Sequence, residues 1–564
     1  MKLLSRVFAL LVFMVSTFFI DKIILTVTYT KKIPQFDNDK PWLKRNTLYY
    51  SDKNLNLLPR YKGPGADGDM VKTDEDDNNY RFVKNKSLVF SANNFISDMI
   101  GIKRIQPDMR PDKCKEILYP DNLPAISIVI ILREEPVVSL LRTVYSILET
   151  SPEKLVEEII LVDDGSKSEE LIAAVDLHVA NVNKLKLIRN DESEGLMMAR
   201  QKGIENTQSE YFIVLDGHIE VTPGWLEPII YRLIKEPKAL LTSHIGIIYM
   251  DTFKFSSLKS AQVDHSFMAF DQITLNEEWV RYSEVFINKR NGSVSPIEYG
   301  MVPGMMMSMR KDFFLKLGGF DPGMEVWGAE HTEMSVKVWL CGGRVEMVPC
   351  SKIGHLYRGT PWQKFHPKKA YFIKNQVRFA LVWMEGLLKD IVLEIKKSEV
   401  NMKDIGDISK RELIKTENHC HPYQYYIDKM LEISDLYIPT YVREKGIIKN
   451  MATNTCLDIT TVDKKRLLIS FSCHGNSNQY FILTEDFHIR IHQSWLTEEN
   501  GKVIVFGDSR NAEGPKFRWK YNETKQVIHE LTDLCLTMRQ DGTVYLDTCS
   551  LSSNYQRWNW SAIS

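Results

Sequence analysis

Asp216 and His218 stand one residue apart where the apolar run Tyr211–Leu215 ends. In an extended chain, residues two apart point to the same face. A carboxylate and an imidazole are thus offered to one cation, with Gly217 keeping bulk out from between them. A mixed oxygen and nitrogen donor set suits Mn²⁺ better than Mg²⁺ or Ca²⁺. A cation held there would bridge a diphosphate and neutralise it as it leaves, which is Lewis-acid help to a leaving group. The tripeptide alone is also ordinary turn chemistry, so its surroundings decide. Two later segments supply them. In Phe320–His331, Trp327-Gly328 offers an aromatic wall and a tight turn beside Glu330. Met334, Val338 and Cys341 then recur at helical spacing, and Gly342-Gly343 predicts the helix end. Read alone, Glu330 is an acid favoured at a helix N-terminus. In Val348–Arg358, His355 is a candidate third ligand; read alone, it is a structural histidine near a strand end.

Such residues need a frame. Ile126–Leu132 is a continuous apolar run, followed by Val137, Leu140, Leu141, Val144 and Ile147 at helical spacing between Pro136 and Glu149. Ile159–Val162 is a second run, ended by Asp163-Asp164-Gly165; Leu185–Ile188, a helical stretch from Gly195 and Tyr211–Leu215 follow. Short buried strands alternating with helices predict an α/β unit of Rossmann type around a parallel sheet. Ligands bind beyond the carboxyl ends of such strands, where Asp163, Asp164, Asp216 and His218 fall.

The C-terminal part has another texture. Gln479-Tyr-Phe481, Phe517-Arg-Trp519 and Gln556-Arg-Trp558 recur at intervals of about 40 residues, and Cys456-Leu and Cys535-Leu lie about two intervals apart. Three copies with short β-prone runs and no helical pattern predict a three-fold β architecture. The middle copy lacks both cysteines and the Gln.

The 564-residue chain holds 72 Lys+Arg and 73 Asp+Glu, a balance that gives no support to nucleic-acid binding by bulk charge. At the N-terminus, Lys2 and Arg6 precede apolar runs Val7–Ile20 and Ile23–Tyr29, which together reach the ~20 residues of a membrane span. A cleaved signal peptide is the rival reading. No small-residue cleavage pattern stands out, so an uncleaved anchor is expected, its basic end cytosolic and the bulk lumenal. The 8 cysteines form no Cys-x-x-Cys pair, which favours disulfides over structural zinc. Sequons at Asn85, Asn291, Asn522 and Asn559 would be accessible in a lumen. Residues 31–106, polar and acidic from Thr73 to Asn79, read as a stem with little core of its own.

Several motifs together carry a resemblance: Leu215-Asp-Gly-His-Ile-Glu220, Gly224-Trp-Leu-Glu-Pro228, Asp321-Pro-Gly-Met-Glu-Val-Trp-Gly-Ala-Glu330, Cys341-Gly-Gly, Val348-Pro-Cys and Gly354-His-Leu-Tyr-Arg358. So do Pro107-Asp-Met-Arg110, Tyr119–Pro124, Leu141-Arg-Thr-Val144 and Glu194-Gly-Leu196. In one order from Pro107 to the C-terminus, the chain resembles the polypeptide N-acetylgalactosaminyltransferases, and its repeat section resembles their ricin-type trefoil. The resemblance implies a GT-A (Rossmann-like) domain over 107–438, an all-β trefoil lectin over 439–564, and a tail with anchor over 1–30. It also implies Golgi residence as a type II membrane protein. The implied reaction is Mn²⁺-dependent transfer of N-acetylgalactosamine from UDP-N-acetylgalactosamine to Ser/Thr of proteins or glycopeptides, with retention. By motif, Asp216, His218 and His355 fall on the metal ligands, Asp164 on the nucleotide-reading position, Trp327 and Arg358 on donor contacts, and Glu330 on an acid needed for activity. The implied disulfides are Cys114–Cys350, Cys341–Cys420, Cys456–Cys473 and Cys535–Cys549. In the trefoil, Asp458, His474 and Asn478 fall on a sugar site for N-acetylgalactosamine; the third copy has Thr537 in place of the Asp, so one site is expected.

The sequence departs from the family at Arg133, at Ser193 where an Arg is usual, at Met305 in a Gly-Gly pair, and at His331 where an Asn follows the Glu. Gly359–Lys369 is short and lacks a Gly-rich lid. These changes keep two alternatives open: a catalytically silent, N-acetylgalactosamine-binding lectin of the same family, and a transferase using another UDP-sugar.

Overall fold

Ile126–Leu132 forms β1, and every one of its seven residues is buried. Its even-numbered side chains pack with Leu140, Leu141, Val144 and Ile147 of α1 (Val137–Thr150). Val129 and Ile131 face the other way, toward Met197, Ala199 and Ile204 around α3 (Leu196–Glu205). Burial on both faces is why the run shows no polar alternation. Each fully buried Ile or Leu there contributes about 1.5–3 kcal/mol relative to exposure. The computed structural model describes residues 62–71, 93–256, 265–290, 294–358, 370–397, 399–436, 438–439, 441–462, 465–491, 494–499, 502–507 and 514–562.

β2 (Val156–Asp164) and β4 (Tyr211–Asp216) flank β1 in parallel, and β3 (Leu185–Asn190) extends the sheet beyond β2; α2 (Glu169–Asn181) joins β2 to β3. After β5 (Ile219–Val221) and α4 (Leu226–Lys235) come β6 (Ala239–Ile248), the short β7 (Phe255–Ser256), a hairpin of β8 (Ser266–Phe270) with β9 (Glu277–Arg281), and β10 (Ile297–Glu298). β11 (Met306–Arg310) inserts antiparallel between β4 and β6, and β12 (Arg344–Leu356) runs parallel to β6. The parallel unit expected from the sequence therefore continues into a mixed ten-stranded sheet. α5 (Glu330–Leu340), α6 (Ala370–Trp383) and α7 (Gly386–Lys396) follow. Among the described residues no helix is long and apolar enough to cross a membrane. The anchor expected over 1–30 lies outside the described residues, as does the stretch Gly359–Lys369.

The stem expectation needs adjustment at its C-terminal end. Ile96 and Ile100 join Val71, Ile248, Phe253, Phe255 and Leu356 in one apolar cluster. Arg104, buried, donates from Nε to Glu220 at 2.9 Å. Apolar side chains and a buried charge pair tie this segment to the sheet, so the packed unit starts before residue 107.

Among the described residues, twelve strands, β13 (Val442–Asn450) to β24 (Trp558–Ser561), build the C-terminal part. Its repeats share a device. Trp519 Nε1 donates to Leu496 O at 3.0 Å and Trp558 Nε1 to Leu536 O at 2.8 Å. Phe481, which has no N–H to place, shares their apolar core. Tyr480 and Ile482 of the first repeat pack on Ile391 and Ile395 of α7, and the Tyr480 hydroxyl meets Glu394 at 2.9 Å. The four disulfides are Cys114–Cys350, Cys341–Cys420, Cys456–Cys473 and Cys535–Cys549.

Candidate active site and sugar pocket

β4 ends at Asp216, whose N–H donates to Met305 O at 3.1 Å. The next turn needs glycine: a Cβ on Gly217 would sit 3.1 Å from both Glu135 Cγ and Ile131 O. Thr143 of α1 staples the turn, donating to Gly217 O and accepting from Ile219 N, each at 3.0 Å. β5 then pairs antiparallel with β12, Ile219 opposite His355, and Leu356 N–H reaches His218 O. This pairing brings His355 back to Asp216 and His218. One donor atom from each of the three lies within 4.8 Å of the others. His355 Nε2 is 3.8 Å from Asp216 Oδ2, and the two imidazole centroids are 4.9 Å apart. Burial first, then His218 and Arg358, push the His355 imidazole well below its usual range, so it is neutral and keeps a lone pair for a metal. Its Nδ1 is buried without a hydrogen-bond partner. One carboxylate and two imidazoles with an orphaned nitrogen fit a first-row divalent ion such as Mn²⁺.

Arg358 closes one side of this cluster. Its Nη2 lies 2.6 Å from His218 Nδ1 and pairs with Glu135. Burial alone would raise the Glu135 carboxyl; Arg358 and His218 overcome it and hold it down at about 2. Glu135 was not among the sequence candidates.

Glu330 opens α5 and is completely enclosed. Oε2 accepts from Gly328 N–H, and Oε1 accepts from Arg200 Nη1, both at 2.9 Å. Arg200, on α3, also donates to Asp216 at 3.2 Å and to Gly304 O at 2.6 Å. It joins the acid to the metal cluster, and the sequence reading missed it. Burial opposes the Glu330 charge, but His331 and Arg200 bring its carboxyl to about 2. The turn before it is strained: φ is 57° at Val326, 100° at Gly328 and 66° at Ala329. Asn375 of α6 holds that turn, donating to the carbonyls of Glu325, Trp327 and Gly328 at 2.8, 3.2 and 3.0 Å. Trp327 stacks on Phe372, centroids 5.7 Å apart. Neither Asn375 nor Phe372 has a local sequence signal, because each meets the turn from about 50 residues away.

Family models match at three places: Glycosyl transferase family 2 over residues 127–318, N-terminal domain of galactosyltransferase over 293–359, and Ricin-type beta-trefoil lectin domain over 444–558. Polypeptide N-acetylgalactosaminyltransferase 13 of Homo sapiens is 34% identical over 482 residues, covering 81% of this chain and 84% of that protein. Polypeptide N-acetylgalactosaminyltransferase 5 of Caenorhabditis elegans is 32% identical over 475 residues, covering 83% and 74%. The chain belongs to the polypeptide N-acetylgalactosaminyltransferase family. A crystal structure of GalNAc-T7 with UDP, GalNAc and Mn²⁺ superposes with a TM-score of 0.75 at 26% identity, covering 89% of this chain and 93% of that one. The GT-A domain and the C-terminal β-trefoil lectin fold are thereby established for this family member.

Against that family background, the departures have definite places. Ser193 donates to Asp164 at 2.6 Å. Asn190 Nδ2, Glu194 N–H and Gly195 N–H fill the other acceptor positions of Asp164 at 3.0, 2.8 and 3.1 Å. Asp164, expected to read the nucleotide, also organises the 190–195 loop. Met305 packs partly buried against the apolar layer around β1 and α1. Arg133 is exposed. His331 is buried between two carboxylates, Glu277 and Glu330.

In the trefoil, Asp458 lies on β14 (Cys456–Val462) and is 3% exposed. Asn478 Nδ2 and Gln479 Nε2 donate to it at 2.5 and 2.8 Å, and His474 Nε2 is 3.1 Å away. Phe471 exposes its ring beside His474, centroids 6.0 Å apart. In the third repeat, Gln556 makes the matching bond to Thr537 Oγ1 at 3.1 Å, so the scaffold is kept without the carboxylate. Gln479 and Phe471 were absent from the sequence candidates; the recurrence of Gln at 479 and 556 was the available signal for the first.

Proposed function

We propose that this protein transfers N-acetylgalactosamine from UDP-N-acetylgalactosamine to Ser/Thr hydroxyls of proteins, with retention at the anomeric carbon. The observation that carries the reading is the convergence of Asp216, His218 and His355 at the carboxyl end of β4, in a chain of this family. These three would hold Mn²⁺, which when bound supplies Lewis-acid stabilisation of a departing diphosphate. Arg358, cationic and held by Glu135, is placed to meet the same negative charge. Glu330 acts as a positioning residue: it caps the turn that presents Trp327 and fixes the Arg200 guanidinium against Asp216. Trp327 offers an aromatic face to the donor side of the site.

The trefoil binds N-acetylgalactosamine already on an acceptor, through Asp458, His474 and Asn478 in the first repeat. The protein is anchored in the Golgi membrane by residues 1–30 as a single-pass type II protein, with the catalytic domain and the trefoil in the lumen. The sequence supports this through its basic-flanked apolar N-terminus, and the disulfides suit an oxidising lumen. Transfer of one N-acetylhexosamine to a Ser/Thr peptide, lost with chelator and with His218→Ala, is the expected result. Equal turnover by His218→Ala would overturn the metal assignment.

A further inference from the structure

At position 331 this chain carries a histidine next to Glu330, and the ring is 2% exposed at the start of α5. A buried imidazole between two acids is costly unless it is charged and paired. Its Nε2 lies 2.8 Å from Glu277 Oε1, and its Nδ1 lies 3.4 Å from Glu330 Oε1. Glu277 begins β9, more than fifty residues earlier in the chain, and its side chain is partly exposed. Gly304 allows the approach: a Cβ there would meet His331 Nδ1 at 3.2 Å and Glu330 Oε1 at 3.5 Å. The charged groups facing the ring are Glu277 from β9 and Glu330 from its own helix, with Arg200 of α3 on the far side of Glu330. An unbroken line of charged contacts therefore runs Glu277–His331–Glu330–Arg200–Asp216.

We propose that Glu277 and His331 are positioning residues for the transfer reaction: Glu277 keeps His331 an imidazolium, and that cation holds the Glu330 carboxylate ionised and aimed at Arg200. The inference rests on the proposed transferase function. An Asn can donate a hydrogen bond to Glu330 but brings no charge, so the pair ties the site's charge balance to a carboxylate near solvent. Burial opposes the imidazolium, yet Glu277 and Glu330 raise it to about 10. The protonated form thus persists across neutral pH. Removing the Glu277 charge lowers that value, and the cation is then lost as pH rises through the new, lower pKa.

Two readouts keep this test separate from the test of function. The first needs no turnover: imidazole ¹⁵N shifts of the full chain, with His331→Asn identifying the signal. The wild-type ring should stay protonated to about pH 9, and in Glu277→Gln it should titrate about two units lower. The second is the pH profile of peptide transfer. Wild type should show no fall from this ring below about pH 9, Glu277→Gln should lose about 10-fold between about pH 7 and 9, and Glu277→Gln with His331→Asn should lack that fall. A parent that transfers nothing refutes the transferase reading, and with it the proposed role in transfer. An active parent whose Glu277→Gln variant has an unchanged profile, or a wild-type ring that is neutral at pH 7, overturns the inference itself.

Discussion

Glu330 and Asp458 are both buried carboxylates walled by polar side chains, yet they are held in opposite ways. Glu330 is held by charge: Arg200, from 130 residues away, and His331, itself paired to Glu277. Asp458 is held mainly by neutral donors, all within 21 residues on one trefoil repeat. The first arrangement depends on the assembly of α3, α5, β9 and the loop at Gly304. The second folds with its own repeat, closed by Cys456–Cys473. Sites that share no partner should respond independently to mutation, so chemistry and sugar recognition should be separable in this molecule.

The strongest way to break the comparison is His218→Ala. Transfer should fall at least about 10³-fold, while binding of a GalNAc-glycopeptide, followed by calorimetry, stays within about twofold. A parallel loss of glycopeptide binding would mean the two sites are one. Next, Glu330→Gln removes one charge and leaves the buried Arg200 and His331 each short of one carboxylate partner. Transfer should drop about 10²-fold and the catalytic domain should lose about 3 kcal/mol in denaturant unfolding. An undiminished variant would remove Glu330 from the account. Asp458→Ala should weaken glycopeptide binding about 10-fold or more by deleting a buried acceptor, with naked-peptide transfer unchanged within about twofold.

A smaller effect concerns pH. The folded value of Glu330, about 2, lies below the ordinary carboxylate value of 4.5. Its stability contribution is therefore present above 4.5 and is lost as pH falls toward 2. Thermal unfolding of wild type should drop more steeply across that window than that of Glu330→Gln; parallel curves would contradict the assigned charge state. The smallest effect sharpens the contrast between repeats. Thr537→Asp should give Gln556 the partner that Gln479 has and add a weak second sugar site, seen as stoichiometry rising from one toward two. An unchanged stoichiometry would show that Asn478, whose counterpart is Tyr555, is also required.

Local pattern made much of this readable. The β1 run, the helix at Val137–Thr150 and the Asp216-Gly-His218 turn all announce themselves within a few residues, since strand burial and residue-two spacing are local properties. His355 was a candidate ligand that, read alone, looked like a structural histidine; it is β5–β12 pairing that delivers it. Arg200, Glu135, Glu277 and Asn375 were not readable, because each acts on a residue tens to hundreds of positions away and looks alone like an ordinary polar residue on a helix, strand or turn. Asp164 shows the reverse. Its place at a strand end was legible, but the four donors that saturate it were not. The polar stretch before residue 107 concealed Ile96 and Ile100, too few to show a periodic face yet enough to pack against Phe253 and Phe255.

The most direct test is turnover by the protein with Mn²⁺, UDP-N-acetylgalactosamine and a panel of Ser/Thr peptides and glycopeptides, read by mass. A gain of one N-acetylhexosamine per modified hydroxyl, abolished by chelator and restored by Mn²⁺, is the result expected. No gain on any acceptor, together with no binding of UDP in the presence of Mn²⁺, would contradict the transferase reading and leave a lectin of the same family.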